Sequence, residues 1–474
     1  MGSMRRFAVV ALWAAVCALG ATGCGGSTGS GSVTKVASGA EVAPADSLAF
    51  VAVGTDRASQ QWKQADALLA KFPLRNKLLE ELNRGLSEHG LEFERDVLPA
   101  LGPEVDFVFV DVAGKPEAVG LTQPPDEQKF EALIAKSSEP PKHEQIGDWT
   151  AFSEKQAALD AVRDAKDHLD GADAFREAMG ELPDEANAKA YVNGAKLTST
   201  VRSRAPGLAN VPLGSLEWIA LALSSHEDGW KLDGAWKSNE GSAKTFSPTL
   251  LDRVPAGSLV VASFKGGDQA YAGLRNTPQG QQAMAQLQQL LGVGFDQLSA
   301  LVSDEGVLYV RKSALYPEAT LVLKEKDGRT AMATLNTIAN RAAMFLGARP
   351  GKANASGSVK RLSFGKFSIY YGLDRDNLVI SDTLAPFGRK VSSTIEHDPV
   401  FENAKTAAGL PDKTSGFLYV NVKDAVPVVE GLAQLSGKDV PAEVSQNLAP
   451  LQSFVVYGSS SDGVSKFSAL LQVR

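Results

Sequence analysis

Two kinds of apolar spacing alternate along the chain. Residues 48–53 form a short, nearly unbroken apolar run, which predicts a buried strand. From Trp62 to Leu86, the residues Leu68, Leu69, Phe72, Leu78, Leu79, Leu82 and Leu86 fall at helical spacing, and Pro73 splits or kinks that helix. A helical piece over 91–101 precedes a strand over 105–110, where Val105, Phe107 and Phe109 alternate against Asp106 and Val108. A partner strand is expected over 118–121. A helix capped by Asp126 then runs to 135, with Phe130, Leu133 and Ile134 on one face. Residues 145–152 read as a strand, and 157–169 and 172–179 as helices. Tyr191-Val192-Asn193 reads as a strand before a helix over 195–202. A hairpin closes this part: a strand over 216–223, a turn at Asp228-Gly229, and alternation that puts Trp230 and Trp236 on one face.

After a polar stretch over 238–247 the pattern restarts. Phe175, Leu182-Pro183-Asp184 and Tyr191-Val192-Asn193 return at the same spacing as Phe401, Leu410-Pro411-Asp412 and Tyr419-Val420-Asn421. Both copies read as a helix, a Pro-Asp turn and a strand. Further echoes flank them. Val254-Pro255-Ala256-Gly257-Ser258-Leu259 repeats Ala43-Pro44-Ala45-Asp46-Ser47-Leu48, and Gly365-Lys366-Phe367 repeats Gly147-Asp148-Trp149. Strands over 307–310 and 319–323 repeat 105–110 and 118–121, and the last hairpin turns at Asp462-Gly463. The expected class is α+β: two tandem homologous halves, 44–246 and 247–474, each a largely antiparallel sheet with packed helices. The Gly/Ala/Ser-rich residues 350–358 are expected to be a disordered loop or a flap.

The N-terminus changes the picture. Arg5 and Arg6 precede an apolar run over 7–19 that is too short to span a bilayer, the pattern of a signal peptide over residues 1–23. Gly20-Ala21-Thr22-Gly23-Cys24 resembles the bacterial lipobox, which implies cleavage before Cys24 and acylation of its thiol. Residues 24–43 begin Gly/Ser-rich and read as a tether. Cleavage removes Cys17 and two arginines, so no free thiol remains for a disulfide or a metal. The whole-chain net charge of −7 argues against a nucleic-acid partner and against a polybasic membrane patch.

Pro44-Ala45-Asp46 before a strand, Gln61-Trp62 opening a helix, Phe72-Pro73, and the Phe175…Leu182-Pro183-Asp184…Tyr191-Val192-Asn193 series carry a resemblance. They look like a bacterial, mostly actinobacterial, family of exported lipoproteins, catalogued as a domain of unknown function, number thirty-three fifty-two. The resemblance implies an envelope location and supplies no catalytic residues.

Few motifs in the chain carry chemistry. Gly25-x-Ser27-x-Gly29 lacks the strand and helix that a nucleophile elbow needs, and Ser363-x-x-Lys366 lies between strands. His89, His143, His168, His226 and His397 form no metal-binding spacing. Asp374-Arg375-Asp376-Asn377 reads as a hairpin turn, and Glu92, Glu94 and Asp96 as the acidic start of a helix. Every tryptophan after the signal lies in the first half: Trp62, Trp149, Trp218, Trp230 and Trp236. Core packing is the expected reason, with an aromatic-lined pocket as the alternative. The site reading is therefore Cys24 for lipidation, with no catalytic, cofactor or metal residue. The expected role is a non-enzymatic binding or scaffold protein, lipid-anchored on the extracytoplasmic face of the cell membrane. Its partner would be an envelope protein, or an apolar ligand held in a cleft between the halves. The alternatives are a lipid carrier and an envelope hydrolase.

Overall fold

The structure is a computed structural model. It describes residues 36–474 except 89, 137–138, 205–215, 240–241, 243, 268–277, 314–315, 354–357 and 389–390. Cys24, His89 and the tether before residue 36 lie outside the described residues.

The chain is α+β, built on an 18-stranded antiparallel sheet. The first half contributes β1 (Ala49–Gly54), β2 (Glu104–Val112), β3 (Lys115–Thr122), β4 (Lys142–Ile146), β5 (Trp149–Ser153), β6 (Ala188–Asn193), β7 (Leu216–His226) and β8 (Gly229–Ser238). The second contributes β9 (Ser258–Lys265), β10 (Glu305–Arg311), β11 (Glu318–Lys324), β12 (Arg349–Lys352), β13 (Val359–Phe364), β14 (Phe367–Asp374), β15 (Asn377–Ser381), β16 (Gly416–Val420), β17 (Leu451–Ser461) and β18 (Val464–Val473).

The pairings run in one order through each half. In the first, β5, β3, β2, β1, β6, β7 and β8 follow one another across the sheet. In the second, β15, β11, β10, β9, β16, β17 and β18 do the same. The two series meet where β8 pairs with β18, from Gly229↔Gln472 to Val464↔Lys237. The halves are thus joined edge to edge in one sheet.

Helices Gln156–Arg163 and Asp173–Gly180 pack on the first series, and Pro399–Ala408 packs on β17 and β18. Each half has its own large apolar cluster. The first holds Phe50, Trp149, Phe175, Tyr191 and Trp218, and the second holds Val261, Phe401, Phe417, Tyr419 and Val455. Val464 of the last strand belongs to the first cluster, so that core is completed across the junction.

Several sequence expectations need adjustment. The strand expected over 145–152 is a hairpin, β4 and β5, bent at Gly147 with φ 57°. Gly365-Lys366-Phe367 is not its counterpart. β5 pairs β3, whereas the strand pairing β11 is β15. The turn matching Gly147-Asp148 is Arg375-Asp376, where both residues take positive φ as a tight hairpin requires. Residues 350–352 of the expected flap belong to edge strand β12, bonded to β13. Asp462-Gly463 sits at the centre of its hairpin, but Asp228-Gly229 does not. The pair His226↔Gly229 makes Glu227 and Asp228 the central residues.

Candidate functional site

The repeated motif is a packing device. Phe175 meets Tyr191 edge-on at 5.1 Å and 77°, and Phe401 meets Tyr419 at 5.0 Å and 78°. Leu182 and Leu410 are buried beside them. Asn193 and Asn421 each accept the backbone N–H three residues on, from Lys196 and Asp424, which starts the next helix. The Leu-Pro-Asp aspartates are exposed. The chain leaves the preceding helix through backbone bonds instead, Leu182 N–H to Met179 and Leu410 N–H to Lys405.

The most concentrated polar chemistry lies at a place the alternation at 105–110 obscures. Val105, Asp106, Phe107 and Val108 are all buried, so β2 is covered on both faces and Asp106 does not face water. Glu104, also buried, accepts the N–H groups of Ala37 (2.7 Å) and Ser38 (2.9 Å) and the Ser38 hydroxyl (2.9 Å). Asp106 Oδ2 accepts the Gly39 N–H at 2.9 Å, while its Oδ1 has no partner. Together they strap the 3-10 turn Ser38–Glu41 onto the sheet. Val36, Ala40 and Ala43 of that strap enter the main core, so the folded body reaches into residues whose composition reads as tether. Ala37 is held at φ 99°, a conformation disfavoured for a non-glycine residue, and the Glu104 bond to its N–H helps keep it there. Gly39 has to be glycine: a Cβ there would lie 2.2 Å from the Asp106 carboxylate.

The second half builds the same clamp once. Glu305, at the start of β10 as Glu104 is at the start of β2, accepts Thr249 N–H, Thr249 hydroxyl and Leu250 N–H. Two residues on, Val307 stands where the first half has Asp106. The second carboxyl is therefore particular to the N-terminal strap.

Burial, then the neighbouring Glu104 carboxylate, push the Asp106 carboxyl well above the usual carboxylate range. A folded-state value above the unfolded one contributes stability at acidic pH, which is lost as pH rises through it. Asp106→Asn keeps an acceptor for Gly39 and gives Glu104 a donor. The variant should match the wild type near pH 4 and exceed it by about 1–2 kcal/mol at pH 8, read from denaturant midpoints. An equal or lower midpoint at pH 8 refutes this account.

Other groups form no comparable constellation. Glu325 is raised to about 7 by burial and by Asp304 and Asp327, with Oε1 buried and unpartnered. Ser224 Oγ lies 3.0 Å from His226 Nε2, but Ser224 is fully buried between strands, where no substrate carbonyl can reach it. His143 pairs with Glu131 on the surface, and His397 bonds Thr394. Among the described residues, no group of three or more His, Cys, Asp or Glu is placed to hold a metal ion. Trp149 and Trp218 are core residues. A groove of about 210 Å³ lies within the first half, lined by Leu91, Arg95, Asp96, Lys129, Ala132, Leu133 and Lys136. No described helix is long and apolar enough to cross a membrane.

Sequence reasoning missed Glu104, Asp106 and Glu305. The available signal was a carboxylate opening each of two apolar strands at equivalent places.

No curated protein matches the chain. Crystal structures of TP0453 are similar over part of it. Forms III and IV match at 14% identity and form I at 13%, each with a TM-score of 0.24 over 46% of this chain. The match covers 77% of the TP0453 chain in forms III and IV and 78% in form I. A family model matches residues 146–473, leaving Pro44-Ala45-Asp46 and Gln61-Trp62 outside it. That match takes in well over half of the sequence, and the chain belongs to the family described as protein of unknown function (DUF3352).

Proposed function

We propose that the protein is an extracytoplasmic bacterial lipoprotein, held to the cell membrane through acylated Cys24, and that it acts as a non-enzymatic binding or scaffold protein of the envelope. The observation that carries this reading is the strap. Immediately after the Gly/Ser-rich stretch, Glu104 and Asp106 lock residues 37–39 to the sheet, so a pull on the tether is borne by the fold. Arg5, Arg6, the apolar run and the small residues before Cys24 supply the matching export signal. Two or three acyl chains, at about 0.8 kcal/mol per buried CH₂, give stable attachment.

The halves 44–246 and 247–474 are best read as copies of one unit. The shared strand order, the paired Phe–Tyr contacts and the paired clamps support this. Lipid carriage is less well supported, since four charged side chains line the groove.

The test is direct. Wild-type protein should stay with membranes through a high-salt wash and carry acyl mass at Cys24, and Cys24→Ala should be washed off. A mature wild-type protein without acyl mass refutes the reading.

A further inference from the structure

We infer that the second half carries its own membrane-contacting surface, one that fits an anionic lipid bilayer. Between Asp327 and Asp374 the chain has no Asp or Glu, yet it holds Arg329, Arg341, Arg349, Lys352, Lys360, Arg361 and Lys366. In a protein of net charge −7 this is a strong local reversal, and the whole-chain charge hides it. The segment comprises the helix Gly328–Leu346 and strands β12 to β14 at one edge of the sheet. Among the described residues, none of the last six of these cations is within ion-pair distance of a carboxylate. Arg341 lies over the Phe345 ring instead.

The apolar side chains are as unusual as the charge. Met344, Phe345 and Leu346 are consecutive in the last helical turn and are 73%, 57% and 70% exposed. Successive helical positions point about 100° apart, so three in a row cannot all face one core. The core-facing work is done by Ala339, Ala342 and Ala343. The helix stops at Gly347, with φ 66°, and passes directly into β12. Arg349 pairs with Ser363, which pairs with Ser368, so Arg349 and the Gly365-Lys366 turn lie at the same end of the strands. At that turn Phe367 is 66% exposed and touches the exposed Tyr316 ring at 6.1 Å. One end of the second half thus presents an apolar tip set among cations.

Charge complementarity selects the occupant. A second copy would bring the same cations face to face, because a two-fold interface matches each patch with itself. An anionic bilayer supplies phosphates for the cations and, beneath them, hydrocarbon for Phe345, Leu346 and Phe367. This contact does not depend on acylation, and its test leaves the acyl group out.

The chain from residue 24 with Cys24→Ser is sedimented with vesicles of phosphatidylcholine alone and of phosphatidylcholine with phosphatidylglycerol. Binding to the anionic vesicles should be about tenfold tighter or more, and should weaken with salt. Arg349→Glu with Lys366→Glu should lower it by about tenfold or more. Phe345→Ser with Leu346→Ser should lower it while leaving the salt dependence in place. Lys115→Glu, on the first half, should change nothing. Unaltered thermal melts confirm that the variants fold. Equal binding to both vesicles, no effect of the tip variants, or an equal loss with Lys115→Glu overturns the inference, and an acidic protein would then be the better candidate for this surface.

Discussion

Glu305→Ala should destabilise the protein by about 3 kcal/mol in denaturant unfolding, and Glu104→Ala by a similar amount. Each carboxylate accepts two backbone N–H groups and a hydroxyl from the segment leading into its half. Removing it strands those donors at a buried position, at about 1–3 kcal/mol for each group that water does not reach. The glutamine variants separate charge from hydrogen bonding. In both clamps one oxygen receives both N–H groups, which a glutamine carbonyl can still do, and its amide can donate to the Ser38 or Thr249 hydroxyl. Glu305→Gln and Glu104→Gln should therefore cost about 1 kcal/mol or less. If alanine and glutamine cost the same, or if alanine costs under about 1 kcal/mol, the clamps do not hold the straps.

The class and most strands were legible because burial periodicity is local. Residues 49–53, 105–110, 118–121 and 319–323 fall within strands of the sheet, and only Leu48 of the expected 48–53 run lies just ahead of β1. The Phe175–Tyr191 and Phe401–Tyr419 contacts were legible only as a repeat, since the spacing says that two things recur and not that they touch. What escaped depends on long-range contacts. Alternation at 105–110 suggests one wet face, but the strap at 36–43 covers it, and nothing near Asp106 in sequence announces a partner 67 residues away. The Gly365 echo misled because β12 and β13 shift the second half's pairing by one hairpin, a change visible only in the ladder. Asp228-Gly229 and Asp462-Gly463 look alike yet occupy different turn positions, since register is set by the whole strand pair and not by the dipeptide. The basic surface was hidden by summing charge over the chain, although the acid-free stretch was present in the sequence throughout.

Gly229→Val should cost about 3 kcal/mol or more and should uncouple the two halves. Gly229 opens β8 and lies directly against β18: a Cβ there would meet the Leu471 carbonyl oxygen at 2.0 Å, and the residue sits at φ 148°. Backbone cannot yield as a flexible side chain can, so the substitution must part the strands or distort the turn. That seam joins the two cores. Val464 completes the first core from the second half's last strand. Ser468 bonds Asp233, Lys466 pairs with Glu181, and Val473 N–H reaches the Asp228 carbonyl. On the helical side, Leu74 N–H bonds Asn447 and Lys77 pairs with Glu443. Loss of either half therefore uncovers strand and core surface of the other, which makes partial unfolding costly. Tryptophan emission, which after the signal comes only from the first half, and far-ultraviolet dichroism, which comes from both, should report one transition in the wild type. In Gly229→Val the two transitions should separate, with the tryptophan transition falling first, because the tie between the cores is weakened and the first core loses its hold on Val464. Separate transitions already in the wild type, or a Gly229→Val variant as stable as the wild type, would show that the β8–β18 pairing does not couple the halves.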